Sequence, residues 1–424
     1  MRSISFAQDV AGYPNLGARI RDLRAIAVNG ASVEVRQLQP SEYLVTGDYV
    51  SFSYDVDLTP PKDRVGLAHA SWVGENDGIL MLDDLVPRYR ARNGKMSATV
   101  TVKLPIGLSK ISAESTGNLT VEDVSNAVFF IGRDLTNIDI KPKSGELHLL
   151  VSGKWHFTSD EATAMAREIF DEYSQMLGSL PKKPYQIAIK RFPPQTPHSQ
   201  WEAETRGRTV TILSSDMPFR TQSLQRLHEQ LRHEIFHLWF PNGIDLIGDY
   251  AWFYEGFAMY TSLKLAVKLN RIRFEDFLDT LSRAHTIDTN SKPRRPLSDP
   301  GIDPTARYAR GMIVAFLTDI DGLRNSGGKT DVSNSLRTLF GRPRPTGELA
   351  NEAIRSVVSA SLIERYVDGV ELVDWTADLA AAGIESTQSG RTTTLSVAPK
   401  PSGRQKAILD RLGYNNWRKS GNRK

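Results

Sequence analysis

The residues best suited by type and spacing to do chemistry lie in Leu231-Arg232-His233-Glu234-Ile235-Phe236-His237-Leu238-Trp239, an H-E-x-x-H pattern. Side chains four apart share a helix face, so His233 and His237 can aim two imidazoles at one tetrahedral metal ion. Glu234 falls to the side of that pair, where a carboxylate can take a proton from an attacking water. Taken alone, the pattern also fits two histidines satisfied on a buried helix. Leu224, Leu227, Leu231, Ile235 and Leu238 form one apolar stripe along the same run. At about 100° per residue, both histidines fall opposite it. The stripe predicts a helix that buries one face and turns His233 and His237 toward a cleft.

The chain has no cysteine, which excludes disulfides and thiolate metal sites, so any zinc must sit on histidine and carboxylate. Glu255, in Trp252-Phe253-Tyr254-Glu255-Gly256-Phe257-Ala258-Met259-Tyr260, is the third ligand to expect. Two helices joined by the loop from Phe240-Pro241-Asn242-Gly243 to Asp249 can pack antiparallel and bring Glu255 onto the His pair. A His₂Glu set keeps a fourth position open. An acid among Trp, Phe and Tyr calls for a partner, which argues against an idle helix-start glutamate. Tyr308 heads the apolar run through Leu317, where a phenol can steady a developing oxyanion or simply fill the core.

These segments must be held by a larger framework. At 424 residues, 40% hydrophobic and 24% charged, the sequence is that of a globular protein with more than one domain. Strand-like alternation marks 32–38, 50–58 and 98–104, with Glu146-Leu147-His148-Leu149-Leu150-Val151 closing the section. This predicts a β-sandwich-like N-terminal domain. A helix is expected from Thr158-Ser159-Asp160-Glu161 through Leu177, then strands at 185–189 and 209–213. Helices should follow over 221–239, 250–270, 274–285, 306–323, 331–340 and 347–366, with the polar run from Ser386 opening a small basic appendage.

H-E-x-x-H, then W-x-x-E-G-F-x-x-Y, then Y-x-R-G before an apolar helix is the motif order of gluzincin metallopeptidases, which this chain resembles. It most resembles the glycyl aminopeptidase family, whose members often carry a C-terminal PDZ domain. Ser152-Gly153, Leu180-Pro181-Lys182-Lys183-Pro184-Tyr185 and the run Arg365–Leu372 look like further landmarks, so the likeness spans roughly 30–385. The resemblance implies one zinc per chain on His233, His237 and Glu255, with Glu234 activating water and Tyr308 steadying the transition state. It implies an α+β protein: a β-rich domain over 1–145, a thermolysin-like mixed α/β catalytic domain over 146–345 and a helical C-terminal region over 346–424.

Four departures qualify the likeness. Seventeen residues (238–254) separate His237 from Glu255, one fewer than in the aminopeptidase N branch. An aminopeptidase needs a carboxylate for the substrate's α-ammonium, and Glu204 is the candidate, but no glycine precedes it and a surface-strand acid is the competing reading. Too little chain follows Gly383 for a PDZ domain, and the β domain begins partway into the family pattern.

The expected function is zinc-dependent hydrolysis of short peptides, as an aminopeptidase preferring small N-terminal residues. A zinc endopeptidase and a non-catalytic peptide-binding scaffold are the alternatives. Net charge is +4, with basic runs at 88–92, at 292–295 and in the tail at 418–424. These are read as solvated surface, and no nucleic-acid partner is expected. No stretch approaches the ~20 apolar residues of a membrane span. The N-terminus has no apolar signal region, which leaves cytoplasm, or periplasm or secretion if a leader is missing. Oligomeric state is not legible.

Overall fold

A computed structural model describes residues 2–88, 96–114, 119–193 and 196–416. The fold is mixed α and β, and the chain divides into two compact units. The first holds Met1–Arg167 and Pro181–Arg226, the second Glu168–Leu180 and Leu227–Lys424.

In the first unit, two three-stranded antiparallel sheets enclose one apolar core. Arg2–Ser5, Glu42–Val45 and Val35–Gln39 make one sheet, and Ser32–Val33, Ile20–Ile26 and Ser51–Val56 the other. Ile4, Phe6, Ile20, Ala25, Tyr43 and Val45 fill the space between. The run over 32–38, expected as one strand, is divided at Glu34 and serves both sheets.

A second sheet system leads to the elements that carry the His233–His237 segment. We label from here β1 (Asn137–Ile140), β2 (Glu146–Ser152), α1 (Ser159–Leu177), β3 (Pro184–Arg191), β4 (Trp201–Arg206) and β5 (Thr209–Ser214). The sheet order is β1-β2-β3-β5-β4. Strands β2, β3 and β5 run parallel, with β1 and β4 antiparallel at the edges. Leu150, Ala188 and Leu213 of this sheet share a core with Trp72, Ile79, Met81 and Phe130. That shared core joins the strands expected as a separate N-terminal domain to the sheet.

The second unit is mainly helical. Its elements are the end of α2 (Arg220–Phe236), α3 (Ala251–Lys268), α4 (Phe274–Asn290), α5 (Pro304–Asn325) and α6 (Val332–Gly341). Helices α3 and α5 meet at two glycines. A Cβ placed on Gly256 would lie 2.3 Å from the Gly311 carbonyl carbon, and one on Gly311 would lie 2.4 Å from the Trp252 carbonyl oxygen. Only hydrogen side chains permit this backbone approach.

Buried charge fixes the same helices in register. Arg310 is fully buried; its Nε donates to Asp288 on α4 at 2.6 Å and its Nη1 to the Arg295 carbonyl at 2.8 Å. Lys264 of α3 donates to Asp319 of α5 at 2.7 Å and to Asp331 at 3.1 Å, while the Tyr260 hydroxyl donates to Asp319 at 2.5 Å. Removing one member of such a set strands an opposite charge away from water, at a cost of about 3–5 kcal/mol.

Past Gly383 the expectation of a helical region is corrected. Ile384–Ser389 and Thr392–Val397 form an antiparallel hairpin, and Gly403–Leu412 a helix. The hairpin docks on α4, where Ser282 Oγ accepts from Leu395 N–H at 3.0 Å and His285 Nδ1 pairs with the Thr393 hydroxyl at 2.8 Å. The basic residues at 292–295 are also not merely solvated. Arg294 donates to Asp288 and to the Val370 and Glu371 carbonyls. Most of the run 88–92, from Tyr89 on, and the tail after Asn416 lie outside the described residues.

Candidate metal centre

The site is built on α2. Its stripe is buried as expected, with Leu227, Leu231, Ile235 and Leu238 all at most 1% exposed and Leu224 half-buried. Burying such side chains contributes about 1.5–3 kcal/mol each. The α1 residues of the second unit secure the helix end. Tyr173 donates to the Arg232 carbonyl at 2.6 Å and packs edge-on against Phe236, while Trp239 Nε1 donates to the Gly178 carbonyl at 2.7 Å.

The α-helix proper ends at Phe236, and His237 sits in a tightened turn, its N–H bonded to the Glu234 carbonyl three residues back. The two imidazoles still converge, Nε2 to Nε2 at 3.3 Å. Nδ1 of His237 donates to the Phe240 carbonyl at 2.9 Å. A carbonyl can only accept, so this bond places the proton on Nδ1 and leaves Nε2 with a free lone pair for a metal. Asn242 holds the turn by donating to the His237 carbonyl at 3.0 Å.

Helix α3 supplies the acid. Trp252, Phe253 and Phe257 are at most 2% exposed and anchor its start, so Glu255 turns toward the histidines. Oε2 of Glu255 lies 3.4 Å from His233 Nε2 and 3.7 Å from His237 Nε2. Bonds of about 2.0–2.1 Å to a tetrahedral ion place neighbouring ligand atoms about 3.4 Å apart. The three measured separations are those of one face of such a tetrahedron. Among the described residues this is the one cluster of three His, Cys, Asp or Glu side chains with metal-ligand spacing. The donor set fits zinc.

Burial opposes charge on this cluster, but the groups support one another. Burial raises the Glu255 pKa, yet His237 and His233 outweigh it and hold the carboxyl below its usual range. Burial likewise works against the His233 imidazolium, and Glu255 and Glu234 more than offset it. Glu234, next to His233 on the last turn of α2, is 4% exposed.

Tyr308 lies near the start of α5, which Asp303 caps by accepting from Ala306 N–H at 2.9 Å, with Pro304 at the first helical position. Burial pushes the phenol's pKa well up, and the charges of Glu255 and Glu234 push it further. The hydroxyl therefore stays protonated, a donor near two carboxylates. If it stabilises an oxyanion, Tyr308→Phe should lower kcat about 10²–10³-fold with zinc content unchanged. Steady-state kinetics beside metal analysis checks this.

Glu204 belongs to the first unit, on edge strand β4. Oε1 accepts from Arg206 Nε at 2.7 Å, and Oε2 pairs with His69 Nδ1 at 2.8 Å. Burial would raise its pKa, but Arg206 and His69 hold it low. The structure thus brings together His233, His237, Glu255, Glu234 and Tyr308, and shows Glu204 in an ion-pair cluster. Sequence reasoning missed His69 and Arg206, the Phe240 carbonyl behind His237, and the Gly256–Gly311 crossing. Only the crossing left a local trace, as glycines one residue after Glu255 and three after Tyr308.

The fold is that of M1 zinc metallopeptidases. An aminopeptidase N family protein from Idiomarina loihiensis superposes with a TM-score of 0.72 at 14% identity, covering 91% of this chain and 74% of that one. The M1 zinc metallopeptidase from Deinococcus radiodurans gives 0.52 at 18% identity, over 84% and 87% of the two chains. A mutant of it, solved with a Tyr-Ser-Ala substrate, gives 0.55 at 16% identity, over 84% and 88%. No family model matches this chain, and no curated protein matches it by sequence. No helix among the described residues is long and apolar enough to cross a membrane.

Proposed function

We propose that this chain is a zinc-dependent peptidase acting on short peptides, with aminopeptidase action on small N-terminal residues as the favoured mode. The observation that carries the reading is the convergence of His233 Nε2, His237 Nε2 and Glu255 Oε2 at 3.3–3.7 Å, beside Glu234. His233, His237 and Glu255 would hold a zinc ion, which would supply Lewis-acid polarisation of the scissile carbonyl and lower the pKa of the attacking water. Glu234 takes the proton from the attacking water and returns it to the leaving amine. Tyr308, its phenol still protonated, donates a hydrogen bond to the oxygen on which charge develops. Phe240, through Nδ1 of His237, keeps that imidazole in the tautomer that binds metal.

In the aminopeptidase mode, Glu204 is the carboxylate assigned to the substrate's α-ammonium. The endopeptidase mode has one observation in its favour, since both Glu204 oxygens are already engaged by Arg206 and His69. Matched peptides with free and acetylated N-termini distinguish the two. Aminopeptidase action predicts at least a 10²-fold drop in kcat/KM on acetylation, and Glu204→Ala should abolish that preference. Equal cleavage of free and blocked peptides would leave the endopeptidase.

A further inference from the structure

The chemistry above leaves Arg307 unused, although it directly precedes Tyr308 on α5. A guanidinium offers five N–H donors. Among the described residues, that of Arg307 makes one hydrogen bond, from Nη2 to the Asp299 carbonyl at 2.9 Å. Nε is buried without a partner. Nη1 stands 3.8 Å from the Asp249 carboxylate, beyond hydrogen-bond reach, and that carboxylate is 55% exposed. The Arg307 side chain itself is only 14% exposed. A guanidinium withdrawn this far from water normally finds its acceptors within the fold.

Arg310, one turn further on, shows the contrast. It is fully buried and bonded to Asp288 and to the Arg295 carbonyl, the pattern of a structural arginine. The charge of Arg307 also acts on Tyr308 and on Tyr254, whose ring packs edge-on against the His237 imidazole at 5.9 Å. It partly offsets the burial that lifts the Tyr308 pKa, and the burial that lifts the Tyr254 pKa to about 12. Any anion entering this neighbourhood meets the negative charge of Glu234 and Glu255. A carboxylate therefore needs a cation with spare donors, and the planar fork of arginine matches it in shape.

We propose that Arg307 binds a carboxylate of the substrate, so that peptides carrying one close to the scissile bond are the preferred class. The inference rests on the peptidase reading of the adjoining site. Two sources share this chemistry, the C-terminal carboxylate of a very short peptide and an acidic side chain.

The test uses the full chain, zinc-loaded and carrying Glu234→Gln so that ligands are not turned over. Calorimetry compares one tripeptide as free acid, the same tripeptide as C-terminal amide, and an amide with Asp or Glu replacing a neutral residue. At least one carboxylate-bearing ligand should bind 10-fold to 100-fold more tightly than the neutral amide. Adding Arg307→Gln should bring that ratio close to one. Preference for the free acid identifies the terminal carboxylate, and preference for the acidic amide identifies a side chain. Equal binding of all three, no binding, or a preference that survives Arg307→Gln overturns the proposal. Hydrolysis by the unsubstituted protein is read separately. Its absence would remove the peptidase reading, whereas hydrolysis indifferent to the carboxylate would remove only the role of Arg307.

Discussion

Glu234→Gln is expected to lower kcat by about 10²–10⁴-fold while leaving zinc content and fold intact. Glutamine matches glutamate in size and can occupy the same 4%-exposed position on α2. What it cannot do is accept a proton from water and carry it to the departing amine. His233, His237 and Glu255 are untouched by the change, so metal affinity should persist. The expected signature is therefore a fall in kcat with a normal metal-to-protein ratio, measured on one preparation. Unchanged turnover with full zinc occupancy would remove Glu234 from the mechanism.

Gly256→Val should have the largest effect on stability, a loss of about 3 kcal/mol or more. The clash is with backbone, because the first added carbon would lie 2.3 Å from the Gly311 carbonyl carbon and 2.5 Å from its Cα. No rotamer relieves it, so α3 and α5 must separate. Glu255 immediately precedes Gly256, and Tyr308 lies three residues before Gly311, so separation also loosens the site. Zinc affinity should fall together with the thermal midpoint. Gly341→Ala is the matched control, since a Cβ there meets nothing within 4 Å. It should shift stability by less than about 1 kcal/mol. Equal melting of the two variants would contradict the close crossing.

The features legible in the sequence were those that repeat at short range. The α2 stripe, the four-residue step between His233 and His237 and the apolar neighbours of Glu255 are local, and each predicted a feature the structure contains. Pairings between distant segments left no such mark. Glu204 and His69 meet across 135 positions, so a strand acid and an ion-paired acid read alike. Alternation over 32–38 tells which residues face inward, not which strand they pair with, so it could not show that the run serves two sheets. Ser, Thr and Gly dominate the hairpin at 384–397, so composition reads it as a polar appendage. Its signal is the β-branched enrichment of Thr392-Thr393-Thr394-Leu395-Ser396-Val397, in which Thr393 and Leu395, two apart, are the buried pair.

His233, His237 and Glu255 are proposed to hold one zinc ion. Zinc titration of metal-stripped protein, beside His233→Ala, His237→Ala and Glu255→Ala, measures it directly. One tightly bound zinc per chain is expected in the parent protein, and a dissociation constant at least about 10²-fold larger in each variant. Circular dichroism should show that all three variants keep the fold. A parent that binds no zinc, or variants that bind it as tightly as the parent, would contradict the account.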